Sequence, residues 1–291
     1  ERRRHTDDDR RMVEAKLSRR DYPRGATLFL QGEPGDTLHL TSAKVYTPTF
    51  SLSMPDFGET WALRVLYGPH GAPDFFTDDD IRTILAAEWQ VHYNSNRTGV
   101  RLIGPKPQWA RKDGGEAGLH PSNIHDNPYA VGAVDFTGDM PIILGPDGPS
   151  LGGFVCPFTV IDADRWKIGQ LAPGDRLRFV PVTLEQAAAA DRAPLGLIAE
   201  PSSMRGQASP DIAALSPVLA HIPAKGARPL TIYRQQGDRN ILVEYGPIVL
   251  DLELRIRVHA LMCELERRAL PGVIDIVPGI RSLQLHFDGD V

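Results

Sequence analysis

Short apolar or alternating runs recur along the chain between turns rich in glycine, proline and aspartate, a pattern typical of a β-rich fold. Thr27 to Leu40 shows two short runs around Gly-Glu-Pro-Gly-Asp and predicts a hairpin. Later stretches of the same kind predict strands, which we place at 61–67, 100–103, 130–136, 139–144, 152–161, 176–182, 230–233, 240–245, 273–277 and 282–287. The polar block 120–128 is interpreted as a loop before one of these strands.

A smaller number of segments carry a helical pattern. Thr77 followed by three aspartates predicts a capped helix start, and the apolar face is expected to continue as far as Trp89. Short helices are predicted over 162–171 and after Thr183. The segment 251–270 has the clearest helical period, and Pro271-Gly272 ends it. Helices beside many strands indicate an α+β, β-rich class.

Composition divides the chain into four parts. Residues 193–228 are rich in Pro, Ser, Ala and Gly and are interpreted as a linker. They separate a part at 59–192 from a second, smaller unit at 229–291, while residues 1–58 stand apart at the start. The first residue is not Met and the last predicted strand ends close to residue 291, so we expect a fragment of a longer protein.

Charge and residue counts exclude several functions. A net charge of −5 argues against nucleic-acid binding through a broad basic face. No apolar run reaches about 18 residues, so no membrane span is expected. Two distant cysteines exclude a disulfide scaffold and favour a cytoplasmic protein. Cys156 lies in an apolar strand and Cys263 within a helix pattern, so both are expected to be inert.

Two loops concentrate polar groups of different kinds before strands. The first contains Asn94, Asn96 and Arg97. The second contains His120, Asn123 and Asp126, and the following strand carries Asp135 and Thr137. Carboxylate and amide oxygens accept from N–H groups, and Arg or Asn donates to a carbonyl, so such a mixture suits a small, neutral, hydrogen-bonding substrate. Turn formation is the competing interpretation of each residue. The spacing of His120 and His125 does not match a zinc motif, and we predict no metal site.

Three long motifs carry a family resemblance. They are LYGPHGAPDFF at 66–76, NSNRTGVRL at 94–102 and GAVDFTGDMP at 132–141. Together with 151–175 they resemble the carboxyltransferase region called allophanate hydrolase subunit 2. Residues 237–246, 270–273 and 281–283 resemble the subunit 1 family. This order is similar to that of biotin-dependent urea carboxylases and urea amidolyases.

The resemblance implies a fold, a reaction and partners. It implies cyclophilin-like β-barrel halves, and a carboxyltransferase that moves CO₂ from carboxybiotin to a urea nitrogen to form allophanate. It implies that the biotin is carried by a separate domain, the biotin carboxyl carrier. ATP and Mg would be used by a separate biotin carboxylase domain. Because urea is a very weak acid, the cofactor is expected to act as the base, leaving the protein to position urea and stabilise charge.

On this resemblance the polar residues receive expected roles. Asp135 and Asn123 would accept from urea N–H groups, and Asn96 and Arg97 would donate to urea or to the biotin ureido oxygen. Asn94, Thr137, His120 and Asp126 are expected to bind substrate less directly.

Three alternatives stay open at this point. Related 5-oxoprolinase subunits, which hydrolyse an amide with ATP, typically carry Gln-Val-Pro where this chain has Asp135-Phe136-Thr137. Guanidine-preferring carboxylases share nearly all these motifs. The unmatched segment 1–58 would also suit a non-catalytic fragment.

Overall fold

The computed structural model describes four short strands within residues 17–48, then residues 60–112, 115, 118, 120–192, 210–211 and 215–289. The chain divides into two units, one of residues 1–55 with 195–199 and one of 56–194 with 200–291. In the first unit, β1 (Leu17–Asp21) pairs with β4 (Lys44–Pro48) and β2 (Thr27–Phe29) with β3 (Thr37–His39), both antiparallel. The hairpin predicted over 27–40 is confirmed by the second pair.

A closed seven-stranded barrel is the centre of the second unit. Its strands are β5 (Thr60–Tyr67), β6 (Trp89–Val91), β7 (Gly99–Ile103), β9 (Ala133–Thr137), β10 (Met140–Leu144), β12 (Phe158–Val160) and β13 (Arg176–Pro181). They follow the order β10-β7-β6-β13-β5-β12-β9. The pair β13–β5 is parallel and the other pairs are antiparallel. Alternate residues such as Leu63, Val65, Val134 and Phe136 fill the core.

The helix predicted after Thr77 is present but ends earlier than expected. It is α1 (Asp78–Ala86), and Thr77 and Asp80 form a reciprocal capping box. Trp89 does not extend the helix, because it begins barrel strand β6 and is fully buried. Its indole N–H donates to the carbonyl of Ile84 at 3.0 Å, so the apolar face joins helix and barrel without being continuous helix.

Two strand predictions needed correction. The polar block 120–128 is not only loop, because β8 (Asn123–Pro128) pairs with β11 (Leu151–Phe154) in a separate hairpin. The apolar run 152–161 is not one strand. It divides into β11 and β12 because Val155 hydrogen-bonds to Ser122 while Cys156 receives the amide of His70.

Three shorter helical pieces follow the barrel strands. A 3₁₀ turn at Asp162–Asp164 leads into α2 (Arg165–Ile168), and α3 (Leu184–Asp191) begins at a capping box formed by Thr183 and Gln186. Among the helices of the described residues, none has the length and apolar character needed to cross a membrane.

A five-stranded antiparallel sheet follows the barrel. It contains β14 (Val218–Ile222), β15 (Thr231–Gln235), β16 (Asn240–Tyr245), β17 (Val273–Pro278) and β18 (Ser282–Phe287), in the order β14-β15-β16-β18-β17. Helix α4 (Leu252–Arg268) packs on it through Val258 and Leu261. Strand β14 lies inside the segment interpreted as linker, where composition alone hid a strand completed by pairing with β15. The predicted β-rich α+β class built around a barrel is confirmed.

Barrel and sheet meet closely at Gly68. Its φ is +124°, and an added Cβ would lie 2.5 Å from the carbonyl oxygen of Gln235 in β15. A side chain here would therefore strain the backbone and push the barrel loop away from the sheet.

We predict that Gly68→Ala lowers the thermal unfolding midpoint more than Gly174→Ala does. Gly174 also has a positive φ, +94°, but no described heavy atom lies within 4 Å of its added Cβ. Both variants carry a backbone penalty of about 1–3 kcal/mol, and Gly68→Ala adds the steric conflict. Equal shifts of the two midpoints in thermal denaturation followed by circular dichroism would contradict the close approach.

Candidate active site at the junction of barrel and sheet

Asp135 is a buried carboxyl group on the outer face of the barrel. Strand alternation sends its neighbours Val134 and Phe136 into the core, so Asp135 lies on the opposite face. It is 4% exposed, and its Oδ1 has no hydrogen-bond partner among the described residues. Burial raises the pKa of Asp135 to about 7, against the opposing effect of the Arg101 guanidinium. The carboxyl group is thus poised to gain or lose a proton near neutral pH.

Tyr129 and Cys156 surround this carboxyl group with further uncharged side chains. Both act on Asp135 electrostatically and pack in a cluster with Ala133 and Ile142. The Tyr129 hydroxyl accepts from the amide of Phe154 at 2.7 Å and donates to the carbonyl of the same residue. Burial raises the pKa of the Cys156 thiol, which agrees with the prediction of an inert cysteine.

His70 is the second buried group with an unpartnered atom. The amide of Cys156 donates to its Nδ1 at 3.0 Å, and its own amide donates to the carbonyl of Cys156. Its Nε2 is buried without a hydrogen-bond partner in the described part of the chain. Burial lowers the pKa of His70 to about 3, and the positive charges of Arg234 and Arg281 outlast the opposing effect of Glu244. The imidazole is therefore neutral at physiological pH.

A buried ionic group on the sheet faces the His70 loop. Glu244 accepts from Arg234 through Oε2 and from Arg281 through Oε1, the latter at 2.6 Å. Arg234 also donates to the carbonyl of Pro69 at 3.3 Å and pairs with Asp74 at 3.2 Å. Burial would raise the pKa of Glu244, but the two guanidinium groups outweigh it and hold the pKa to about 2. The charged group thus connects β16 to the loop that carries His70.

Amide and hydroxyl groups extend this junction along β8. The Ser282 hydroxyl donates to Asn127 at 3.3 Å, and Gln236 donates to the carbonyl of Pro128 at 2.7 Å. Gln284 donates to Gln236 at 2.9 Å. These buried bonds fix β8, which precedes Tyr129 and Asp135 in the chain, against the sheet.

The predicted residues His120 and Asn123 lie together in a hydrogen-bonded group at the start of β8. The Nδ1 of His120 is 3.0 Å from the Ser122 hydroxyl, which in turn lies 3.3 Å from the side-chain oxygen of Asn123. The Nε2 of His120 is 3.3 Å from Asp139. A hydrogen bond from the Trp109 indole lowers the pKa of Asp139, and nearby Lys106 and His120 add to that effect. Because Ser122 is fully buried, this arrangement fixes the loop and offers no accessible nucleophile.

The other predicted residues lie in more open surroundings. Asn94, Asn96 and Arg97 share the exposed turn before β7, where Asn96 accepts from the amide of Thr98 and Arg97 pairs with Asp147 at 2.6 Å. Asp126 is exposed, and its backbone carbonyl accepts from the amide of Ile280. Thr137 lies two residues beyond Asp135, on the same face of β9.

The residues that sequence reasoning missed are His70, Arg234 and Glu244. His70 lies in the GPHGAP segment, which was used only as a family motif. Arg234 and Glu244 are polar positions within strands, where the pattern alone suggests solvent-facing side chains. No group of three or more potential ligands for a metal ion occurs among the described residues.

Comparisons with known families match the chain in two places. A family model described as "Carboxyltransferase domain, subdomain A and B" matches residues 25–181, and one described as "Carboxyltransferase domain, subdomain C and D" matches residues 231–291. The first begins within the segment 1–58 that the sequence analysis left unmatched.

Similar proteins extend this match. The chain is 46% identical over 234 residues to the urea amidolyase of Lachancea kluyveri, covering 79% of this chain and 13% of that protein. It is 34% identical over 287 residues to a putative urea carboxylase of Emericella nidulans, covering 88% of this chain and 23% of that protein. The solved structure of the Kluyveromyces lactis urea carboxylase superposes with a TM-score of 0.73 at 42% identity, over 88% of this chain and 24% of that chain. This chain therefore spans less than a quarter of each of these relatives.

Proposed function

The chain belongs to the carboxyltransferase domain family, and from this premise we propose that it serves as the carboxyltransferase part of a urea carboxylase. The proposed reaction moves CO₂ from carboxybiotin to a urea nitrogen and forms allophanate. The observation that carries the proposal is Asp135, a buried carboxyl group whose Oδ1 lacks a partner among the described residues. Urea offers N–H donors for that oxygen and carries no charge that would need a buried counter-ion.

In this proposal Asp135 orients urea. A hydrogen bond from a urea N–H to Oδ1 would fix one nitrogen at a defined position beside the barrel. Asn123 would accept a second N–H, as the sequence analysis expects, and its hydrogen bond with Ser122 holds it at the start of β8. Thr137 shares the face of Asp135, and His120 and Asp126 border the same hairpin, so these residues would support the site from its edges.

Asn94, Asn96 and Arg97 would meet the cofactor rather than urea. Their turn is exposed, as a surface visited by a group from another domain has to be. It leads directly into β7, whose Arg101 acts electrostatically on Asp135. We therefore assign donation to the biotin ureido oxygen to Asn96 and Arg97.

The residues present fit biotin as well as urea. The ureido ring, like urea, presents N–H donors and a carbonyl acceptor, which match an unpartnered carboxyl oxygen and exposed amide and guanidinium donors. When bound, biotin supplies the transferable CO₂ and the basic nitrogen that a very weak acid such as urea requires. The residues of this chain then bind and orient urea and exclude water from Asp135.

The proposal includes partners and a location. Biotin would be carried on a biotin carboxyl carrier domain, and ATP with Mg would be used by a biotin carboxylase domain. The similar urea amidolyase and urea carboxylases are several times longer than this chain, which supports such additional domains. Two free cysteines, Cys156 and Cys263, support the cytoplasm as the location.

The extensive matches favour this function over a 5-oxoprolinase subunit, because they join this chain to urea amidolyase and urea carboxylases over at least 79% of its length. Guanidine as the substrate and a non-catalytic role are separated from it by experiment.

The decisive experiment combines this chain with biotin carboxylase and biotin carrier components and measures ADP release. We expect release that depends on urea and yields allophanate. Release with guanidine alone would reassign the substrate, and release with 5-oxoproline alone would reassign the family branch. No substrate-dependent release, with biotin carboxylation intact, would indicate a non-catalytic chain.

A further inference from the structure

The buried imidazole of His70 has no role in the function described so far. We propose that His70 donates a hydrogen bond from Nε2 to the carbonyl oxygen of the small substrate bound at the junction of barrel and sheet. This inference rests on the proposed function for the identity of the substrate, urea. It adds an oxygen-binding donor to a site in which Asp135 and Asn123 account only for the nitrogens.

The position of the proton on His70 follows from geometry. A backbone amide is always a donor, so the 3.0 Å contact from the amide of Cys156 requires that Nδ1 carry a lone pair. In a neutral imidazole the hydrogen then resides on Nε2. Nε2 is therefore a donor, and it is the atom that has no partner within the described residues.

The donor is held rigidly as well as left unpaired. The His70 amide bonds to the carbonyl of Cys156, and Gly68 bonds to the carbonyl of Pro157, so the loop is paired to the segment between β11 and β12. The ring packs edge-on against Phe75, with centroids 5.0 Å apart. A buried donor without an acceptor costs about 1–3 kcal/mol, and such a cost is commonly retained where a ligand supplies the acceptor.

The surroundings select a small acceptor. Nε2 is completely covered by protein, so a ligand that reaches it replaces only a few atoms, which suits urea and excludes the biotin ring. Cys156 connects the two unpartnered atoms, since its amide bonds to His70 and its thiol acts on Asp135. Arg234, Arg281 and Arg111 contribute positive potential at His70 and Glu244 contributes negative potential. A net positive potential favours an oxygen on which negative charge develops.

Two substitutions separate donation from anchoring. In His70→Asn the side-chain oxygen takes the place of Nδ1 and keeps the bond to Cys156, but no donor reaches the Nε2 position. In His70→Gln the amide nitrogen reaches the Nε2 position, while the acceptor for Cys156 is lost. Both variants are measured in a carboxylase that contains this chain, with thermal unfolding to verify folding.

We expect His70→Asn to lower kcat/KM for urea by about 100-fold, the usual effect of removing one such donor. His70→Gln should retain several times more activity than His70→Asn although it unfolds at a lower temperature. The opposite order, with His70→Asn near wild type and His70→Gln impaired, would show that His70 only anchors the loop and would overturn the proposal.

A direct measurement covers the case in which either variant fails to fold. In ¹⁵N-histidine NMR spectra of the wild-type 291-residue chain, we expect His70 as the Nε2–H tautomer and a saturable shift of that signal with urea. Guanidinium, which has no oxygen acceptor, should leave the signal unchanged. An Nδ1–H tautomer, or no response to urea from a chain that carboxylates urea, would overturn the inference. A chain that does not carboxylate urea contradicts the proposed function instead.

Discussion

Asp135→Asn is expected to abolish urea-dependent carboxyl transfer and, at pH 8, to make the protein more stable. The loss of activity follows because an amide presents an N–H₂ group as readily as an oxygen to a site that binds urea N–H groups. It also removes the proton that the Asp135 carboxyl exchanges near neutral pH. ADP release in the assembled carboxylase measures the first effect.

The gain in stability follows from the raised pKa of Asp135. Burial raises it from 3.8 to about 7 in the folded protein. The folded state therefore holds a proton that the unfolded chain releases above pH 4, and the contribution to stability present below pH 4 is lost as the pH rises through 7. At pH 8 that loss amounts to about 4 kcal/mol as an upper bound, and asparagine, which does not ionise, avoids it.

Thermal unfolding of the wild type and Asp135→Asn between pH 4 and pH 8 checks this. We expect the two curves to converge at pH 4 and to separate at pH 8, with the variant unfolding at the higher temperature. Asp79→Asn serves as a control, since it removes a carboxylate that is 87% exposed on α1. Parallel curves for the wild type and Asp135→Asn would contradict a protonated, buried Asp135.

Glu244→Gln is expected to cause the largest loss of stability of any conservative substitution described for this chain. Glu244 is 2% exposed and bonds both Arg234 and Arg281, each of which is also buried. The substitution leaves two guanidinium groups without a buried negative partner, which costs about 3–5 kcal/mol. Because these bonds join β16 to the loop of His70, transferase activity should fall together with stability.

The free energy of unfolding, obtained from calorimetry at neutral pH, measures this effect. Glu264→Gln is the matched control, since Glu264 also accepts from two arginines, Arg267 and Arg268, but lies on the exposed face of α4. Solvent screens such surface pairs, and we expect no resolvable change in the unfolding temperature. Similar unfolding temperatures for both variants would show that the Glu244 group is solvated.

The pH profile of the wild type combines two opposite effects. For His70, burial lowers the pKa to about 3, so its contribution to stability is present above pH 6.5 and is lost as the pH falls through 3. For Asp135, stability is lost in the other direction, as the pH rises through 7. We therefore predict that His70→Gln reduces the acid loss and Asp135→Asn reduces the alkaline loss, as thermal unfolding from pH 3 to pH 9 will measure.

Local sequence signals were reliable where a structure depends on neighbouring residues. The capping box at Thr77 and the strand at 240–245 were predicted because capping and alternation act within a few residues. Trp89 and the polar strand β8 were misjudged because their conformations depend on distant partners. Trp89 pairs with β13, and β8 pairs with β11. The division of 152–161 likewise follows from backbone bonds to Ser122 and His70.

The sequence by itself determined the β-rich class, the capped helix, the inert cysteines and the family, because alternation, capping and long motifs are local properties. It also identified Asp135 as a candidate. Only the tertiary structure decided that Asp135 is buried on the outer face of a closed barrel and that His70 holds an unpaired donor. It alone brought Glu244 to the His70 loop, because burial and charge pairing arise between strands that are far apart in the chain.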